Sequence, residues 1–201
     1  MSIMRRITPS ARVANLPNFL TFFRILLIPV LVVILTRPGR TASLMAAATF
    51  FLACLSDFFD GYLARRWGIS TTLGELLDPL ADKLIVAAAL IMLAGLDRTP
   101  MVPAWMIVVI IGREIAVTGL RAVALGRGLV LAAQELGKYK MVFQMFALHG
   151  LLLHYNFFWV DFHLAGMYFL WISLVISLWS GIDYHVRVIR QLMRGPSSVQ
   201  A

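Results

Sequence analysis

Apolar segments recur six times along the chain, at roughly residues 19–36, 42–62, 79–96, 102–122, 139–157 and 163–182, each bounded by charge, proline or glycine. A hydrocarbon core about 30 Å thick takes about 20 apolar residues per helical crossing, and every one of these segments approaches that length. The pattern predicts an all-α integral membrane protein: a six-transmembrane-helix bundle formed by residues 1–201 as one domain. A mean hydropathy of +0.83, with only 14% charged residues, places the chain outside the composition of soluble domains. The stretch before the first segment has arginines but no apolar core followed by a small-residue cleavage site, so a cleaved signal peptide is not expected. Its last residues, "ARVANLPN", are expected to form a short N-terminal interfacial helix, with Pro17 in a first turn.

The distribution of cations orients the segments. With the N-terminus cytoplasmic, fifteen of the 18 Lys and Arg fall on the cytoplasmic side and only Arg37, Arg40 and Arg98 on the other. That asymmetry predicts two cytoplasmic termini. The net charge of +8 in so apolar a chain points to anionic lipid headgroups, not to nucleic acid. The outer loop "HYNFFWVDFH" has no Lys or Arg and reads as a structural aromatic belt, and residues 195–201 read as a disordered tail. The single cysteine, Cys54, excludes an intrachain disulfide and is expected to pack.

Against this background four carboxylates gather in "SDFFDGYLARRWGISTTLGELLDPLADK", at Asp57, Asp60, Asp78 and Asp82. Helical spacing places Asp57, Asp60, Gly61 and Ala64 on one face of the second segment, and Asp78 and Asp82 on one face of the third, with Pro79 at its start. The intervening residues are long enough to turn the chain back, so two helix ends can present their acids to one another. Between Asp57 and Lys83 five acidic residues outnumber three basic ones. Carboxylates crowded beside hydrocarbon require protons, cationic partners or metal ions. Oxygen donors without local His or Cys suit Mg²⁺ or Mn²⁺, and a pair of such ions can hold a diphosphate. The competing reading of any one aspartate is a helix cap or a surface ion pair, and Gly61, Ala64 and Gly74 also suit helix packing.

These residues resemble a known signature. Asp57, Asp60-Gly61, Ala64-Arg65, Gly74, Asp78 and Asp82 match every fixed position of the CDP-alcohol phosphotransferase motif. The flanking "NLPNFLTFFRILLIPVLV" and "GREIAVTGLRAVALGRGLVLAAQELGKYKMVFQM" are similar to the phosphatidylglycerophosphate synthase branch of that family. The resemblance implies a six-helix membrane enzyme, usually a homodimer, in which an acceptor alcohol displaces CMP from a CDP-linked lipid such as CDP-diacylglycerol. It also implies a two-metal site with Asp57, Asp60, Asp78 and Asp82 as ligands, Asp82 doubling as the base for the acceptor hydroxyl. Gly61, Ala64, Arg65 and Gly74 would then shape the CDP site. Asn18, Thr21 and Arg24 recur every third residue on one helix face and are candidates for further polar contacts to the nucleotide. Alternatively, Asn18 caps its helix, Thr21 bonds its own backbone and Arg24 snorkels to headgroups.

Arg113 and Glu114 interrupt an apolar segment, where charge marks a pocket or pathway. With Arg121, Lys138 and Lys140 nearby in sequence, Arg113 suits a phosphorylated acceptor such as glycerol 3-phosphate, although Lys138, Lys140 and Arg127 also suit anchoring to the inner leaflet. Glu114 is expected to pair with a neighbouring arginine. His149, His154, His163 and His185 share no helical face and are assigned no role. Three readings compete with a phosphatidylglycerophosphate synthase: the same reaction with the acceptor of a cardiolipin, phosphatidylinositol-phosphate or phosphatidylserine synthase, a divalent-cation transporter, and a structural membrane protein. The expected location is the bacterial inner membrane, with the active site facing the cytoplasm.

Overall fold

A computed structural model describes the backbone of residues 16–37, 39–67, 72–127, 135–157 and 159–194, and the side chains of these except 16–18, 60–67, 72–76, 135–136, 157, 192 and 194. Among the described residues there are six helices: α1 Leu16–Leu35, α2 Arg40–Trp67, α3 Thr72–Ala94, α4 Ala104–Gly126, α5 Glu135–Leu153 and α6 Phe162–Arg194. Between α5 and α6 a two-residue ladder forms, β1 Asn156–Phe157 antiparallel to β2 Val160–Asp161. Each of the six apolar segments overlaps one helix, although the fifth, read as 139–157, runs past the end of α5 at Leu153 into β1. The expected helix start at Pro79 is corrected, because α3 begins at Thr72 and Pro79 lies inside it. A proline removes one backbone hydrogen bond, a loss that surrounding helical bonds and packing can absorb. The expected interfacial helix falls mostly outside the described residues, which begin at Leu16, already in α1; residues 195–201 lie outside them as well.

The chain divides into two compact units, residues 1–92 and 93–201. In the first, α1 has two opposed stripes. Thr21, Arg24, Leu27, Leu31 and Leu35 are buried, while Phe19, Phe22, Leu26, Val30 and Val33 are exposed. Both stripes follow helical spacing, so the sequence gives α1 one face for its neighbours and another, equally apolar, for its surroundings. Its inner face packs on α2, where Ser43, Ala46, Ala47, Phe50 and Ala53 are buried. On α3 the inner stripe is Ala81, Ile85 and Ala89, recurring every fourth residue.

The second unit packs α6 against α5 and against α4. Glycine permits the α5–α6 contact: a Cβ on Gly150 would lie 2.6 Å from the Phe162 carbonyl oxygen, and one on Gly166 would lie 2.7 Å from the Leu151 amide nitrogen. Backbone therefore touches backbone, as small residues allow between membrane helices. Val117, Ala124, Tyr184 and Val188 form the α4–α6 core. The short ladder and its flanks are tied down by two histidines. His163, 2% exposed, is bonded through Nε2 to the Pro100 carbonyl at 2.7 Å, and its Nδ1 lies 3.1 Å from Nδ1 of His154. Since Nε2 of His163 donates to a carbonyl, its Nδ1 is the acceptor for the N–H of His154 in the neutral pair. These two residues, assigned no role from spacing, fasten the 95–103 loop to the start of α6. Arg98 adds a bond from Nη1 to the Leu151 carbonyl at 2.6 Å, and partial burial lowers its pKa from the ordinary guanidinium value. Asp161 caps α6 by accepting the Leu164 N–H at 2.9 Å.

Among the described residues two helical stretches, Arg40–Phe59 and Phe162–Gln191, are long and apolar enough to cross a membrane, with Phe19–Leu35 a shorter apolar helix. The charged residues of α3, α4 and α5 interrupt their apolar character. Large exposed apolar residues nonetheless cover every helix, among them Phe51 and Phe58 on α2, Leu84 and Ile91 on α3, Val108 and Ile115 on α4, Phe146 on α5, and Val175 and Trp179 on α6. Exposed apolar area on this scale calls for a lipid or protein environment.

Candidate active site

In the first unit the polar end of the inner stripe of α1 meets the acids of α2 and α3. The Thr21 hydroxyl donates to Asp78, and the Arg24 guanidinium donates through Nη1 to Asp82. Nη2 of Arg24 lies 3.2 Å from Oδ1 of Asp57. Arg24 is only 1% exposed, so its charge is buried together with its partners. Burying an arginine without such partners would be prohibitive. Asp57, at the C-terminal end of the apolar run of α2, follows buried Ser56, while Asp78 and Asp82 flank buried Ala81 on α3. Three elements thus deliver three carboxylates, one hydroxyl and one guanidinium to one place.

Asp60, Gly61, Ala64 and Arg65 lie on α2 and Gly74 on α3, but their side chains, like that of Asn18 on α1, are outside the described residues. Among the described residues no three acidic, imidazole or thiol groups converge as a ready ion cage. Asp57 and Asp82 converge on Arg24 instead, and Asp78 on Thr21. The donor chemistry still fits a hard divalent cation, because the groups that Thr21, Asp57, Asp78 and Asp82 present are all oxygens.

A second polar cluster occupies the other unit. Arg113 donates to Glu114 at 2.8 Å and to the Ser180 hydroxyl at 2.7 Å, and the Lys140 ammonium donates to the same Glu114 oxygen. Lys140 is 5% exposed and its carbonyl accepts from buried Ser173. Gly181 makes room for Arg113, since a Cβ there would meet the arginine's Nε at 3.0 Å. Glu114, expected only to pair with an arginine, holds two cations at once. Arg121 does not join this group: its guanidinium stands 5.7 Å from the Tyr184 ring centre, at the range of a cation–π contact. Lys138, on α5, and Arg127, just past α4, are exposed.

Taken together, the six helices and the acid cluster of α2 and α3 define a class, and the family comparison agrees with it. The family model for CDP-alcohol phosphatidyltransferase matches residues 14–179, and the chain belongs to this membrane-embedded family. Among curated relatives, a protein of Bacillus subtilis (strain 168) is 45% identical over 183 residues, covering 85% of this chain and 93% of its own. Proteins of Haemophilus influenzae and Escherichia coli (strain K12) are each 38% identical, covering 85% of this chain and 91% and 92% of their own. All three relatives are named CDP-diacylglycerol–glycerol-3-phosphate 3-phosphatidyltransferase.

Proposed function

We propose that this chain transfers the phosphatidyl group of CDP-diacylglycerol to glycerol 3-phosphate, releasing CMP and forming phosphatidylglycerophosphate. The observation that carries the reading is the convergence of Asp57, Asp78 and Asp82 from α2 and α3 within the family signature. The names of the relatives favour this reaction over other acceptors and over ion transport.

In this reading Asp57, Asp60, Asp78 and Asp82 would hold two divalent ions, Mg²⁺ or Mn²⁺. When bound, such ions neutralise charge on a diphosphate and make its phosphorus more electrophilic. The chain's own residues do the rest. Asp82 accepts the proton of the acceptor hydroxyl, the freed oxygen forms a bond to the lipid-bearing phosphorus, and the bond from that phosphorus to the CMP oxygen breaks. Gly61, Ala64 and Gly74, which lack bulk, let the nucleotide approach the helices, while Arg65 and the Asn18, Thr21, Arg24 face of α1 supply polar contacts. Arg113, Arg121, Lys138 and Lys140 are assigned to the phosphate of the acceptor; the Arg113–Glu114–Lys140 triad carries one net positive charge, which suits an anion.

All six helices are taken to cross the bacterial inner membrane, as a homodimer with both termini and the site on the cytoplasmic side, consistent with the cation asymmetry. Charge in α3, α4 and α5 is then the cost of building a site, and such residues face the interior of a bundle. The test is CMP release by purified full-length protein supplied with CDP-diacylglycerol, glycerol 3-phosphate and Mg²⁺. Asp78→Asn should lower turnover by about 100-fold or more. Full turnover in that variant would end the proposal.

A further inference from the structure

Arg24 holds a position that a nucleotide contact alone does not require. Its guanidinium is buried, donates to Asp82 through one terminal nitrogen and lies 3.2 Å from Asp57 through the other. It therefore joins the carboxylates of α2 and α3 from a third helix, α1, and the separation of 33 residues from Asp57 and 58 from Asp82 shows that folding, not local sequence, makes the contact. Thr21, one turn earlier on the same inner stripe, engages Asp78. Every described carboxylate of the signature is thus met by the polar face of α1.

We infer that Arg24 is a positioning residue that holds Asp57 and Asp82 together, and that a divalent cation binds these carboxylates in competition with its guanidinium. This rests on the metal-dependent reading above and deepens it. Two carboxylates brought together near hydrocarbon repel, and a fixed guanidinium between them offsets that repulsion. Arg24 engages Oδ1 of Asp57 and Oδ1 of Asp82, oxygens of the carboxylates that would hold a divalent ion. Carboxylates held in place by Arg24 are aligned to accept the ion. The same arginine weakens ion binding, through its positive charge and its occupation of ligand atoms. A site that must take up and release phosphate-bearing ligands at each turnover gains from metals held less tightly than the bare acids would hold them.

The experiment is Mn²⁺ binding to the full-length protein in detergent, followed by calorimetry, together with thermal melting in excess chelator. Arg24→Met should raise Mn²⁺ affinity roughly tenfold, the scale of one removed ionic competitor, and should lower the melting temperature in chelator while widening the stabilisation gained on adding Mn²⁺. Arg24→Lys, whose point-charge ammonium cannot fork to two carboxylates, should fall between the two, and it carries the test if the methionine variant does not fold. A nucleotide-contact role alone would leave both Mn²⁺ affinity and melting in chelator unchanged. Unchanged or weaker affinity in both variants, with wild-type binding intact, overturns the competition and leaves the metal reading standing. Failure of the wild-type protein to bind Mn²⁺ overturns both.

Discussion

Arg24 and Glu114 show how a single buried charge is made tolerable and then used. Each is the hub of a three-residue ionic group, Arg24 with Asp57 and Asp82, Glu114 with Arg113 and Lys140, and the two groups have opposite net charge. Sequence alone located the acids, because four aspartates in hydrocarbon surroundings have few explanations. It left Arg24 undecided between nucleotide contact and snorkelling, since a three-residue period on α1 states which face a residue occupies and not what lies opposite. Glu114 was legible as half of a pair; its second partner, Lys140, lies 26 residues away and becomes a neighbour only through the fold. Replacing Glu114 with Gln should cost about 1–3 kcal/mol in a denaturation experiment, because two largely buried cations lose the carboxylate between them. In steady-state kinetics the same variant should raise KM for glycerol 3-phosphate and spare KM for CDP-diacylglycerol, and equal effects on both would detach the triad from the acceptor.

The helices themselves were the most legible elements, because runs of apolar residues bounded by charge mark them directly. Their ends were less so. Pro79 reads as a helix start, yet α3 begins seven residues earlier, where hydroxyl and acidic residues break the apolar run without breaking the helix. The β1–β2 ladder has two residues per strand, too few for any periodicity to register, and the His154–His163 bond closes across it where helical spacing has no meaning. Gly150 and Gly166 each look unremarkable in an apolar run, and only their pairing across α5 and α6 gives them a purpose. With its Cβ 2.7 Å from the Leu151 nitrogen and 2.9 Å from the Ala147 carbonyl oxygen, an alanine at position 166 cannot be accommodated without moving a helix. Gly166→Ala is expected to destabilise the protein by about 1–3 kcal/mol, read as a lower melting temperature in detergent. A melting temperature equal to wild type would show that the two helices can part without cost.

For the whole molecule, composition announces lipid, and the structure accounts for it through two kinds of surface on one helix. α1 buries Leu27 and Leu31 and exposes Phe22 and Val30, so hydrophobicity surrounds it while packing claims only one side. Among the described residues α2 and α6 qualify as crossings by composition, while α3 and α4 carry charged residues such as Asp78, Asp82, Arg113 and Glu114 within their apolar stretches. Function rests on where these groups collect. Acids of α2 and α3 serve a diphosphate-bearing lipid in this account, and the choice of acceptor decides which phospholipid results. The decisive measurement is the mass of the lipid formed when the purified protein receives CDP-diacylglycerol, Mg²⁺ and one acceptor at a time. Phosphatidylglycerophosphate from glycerol 3-phosphate, with no product from inositol phosphate, serine or phosphatidylglycerol, is the predicted result; a lipid built on any of those other acceptors, or none from glycerol 3-phosphate, would contradict it.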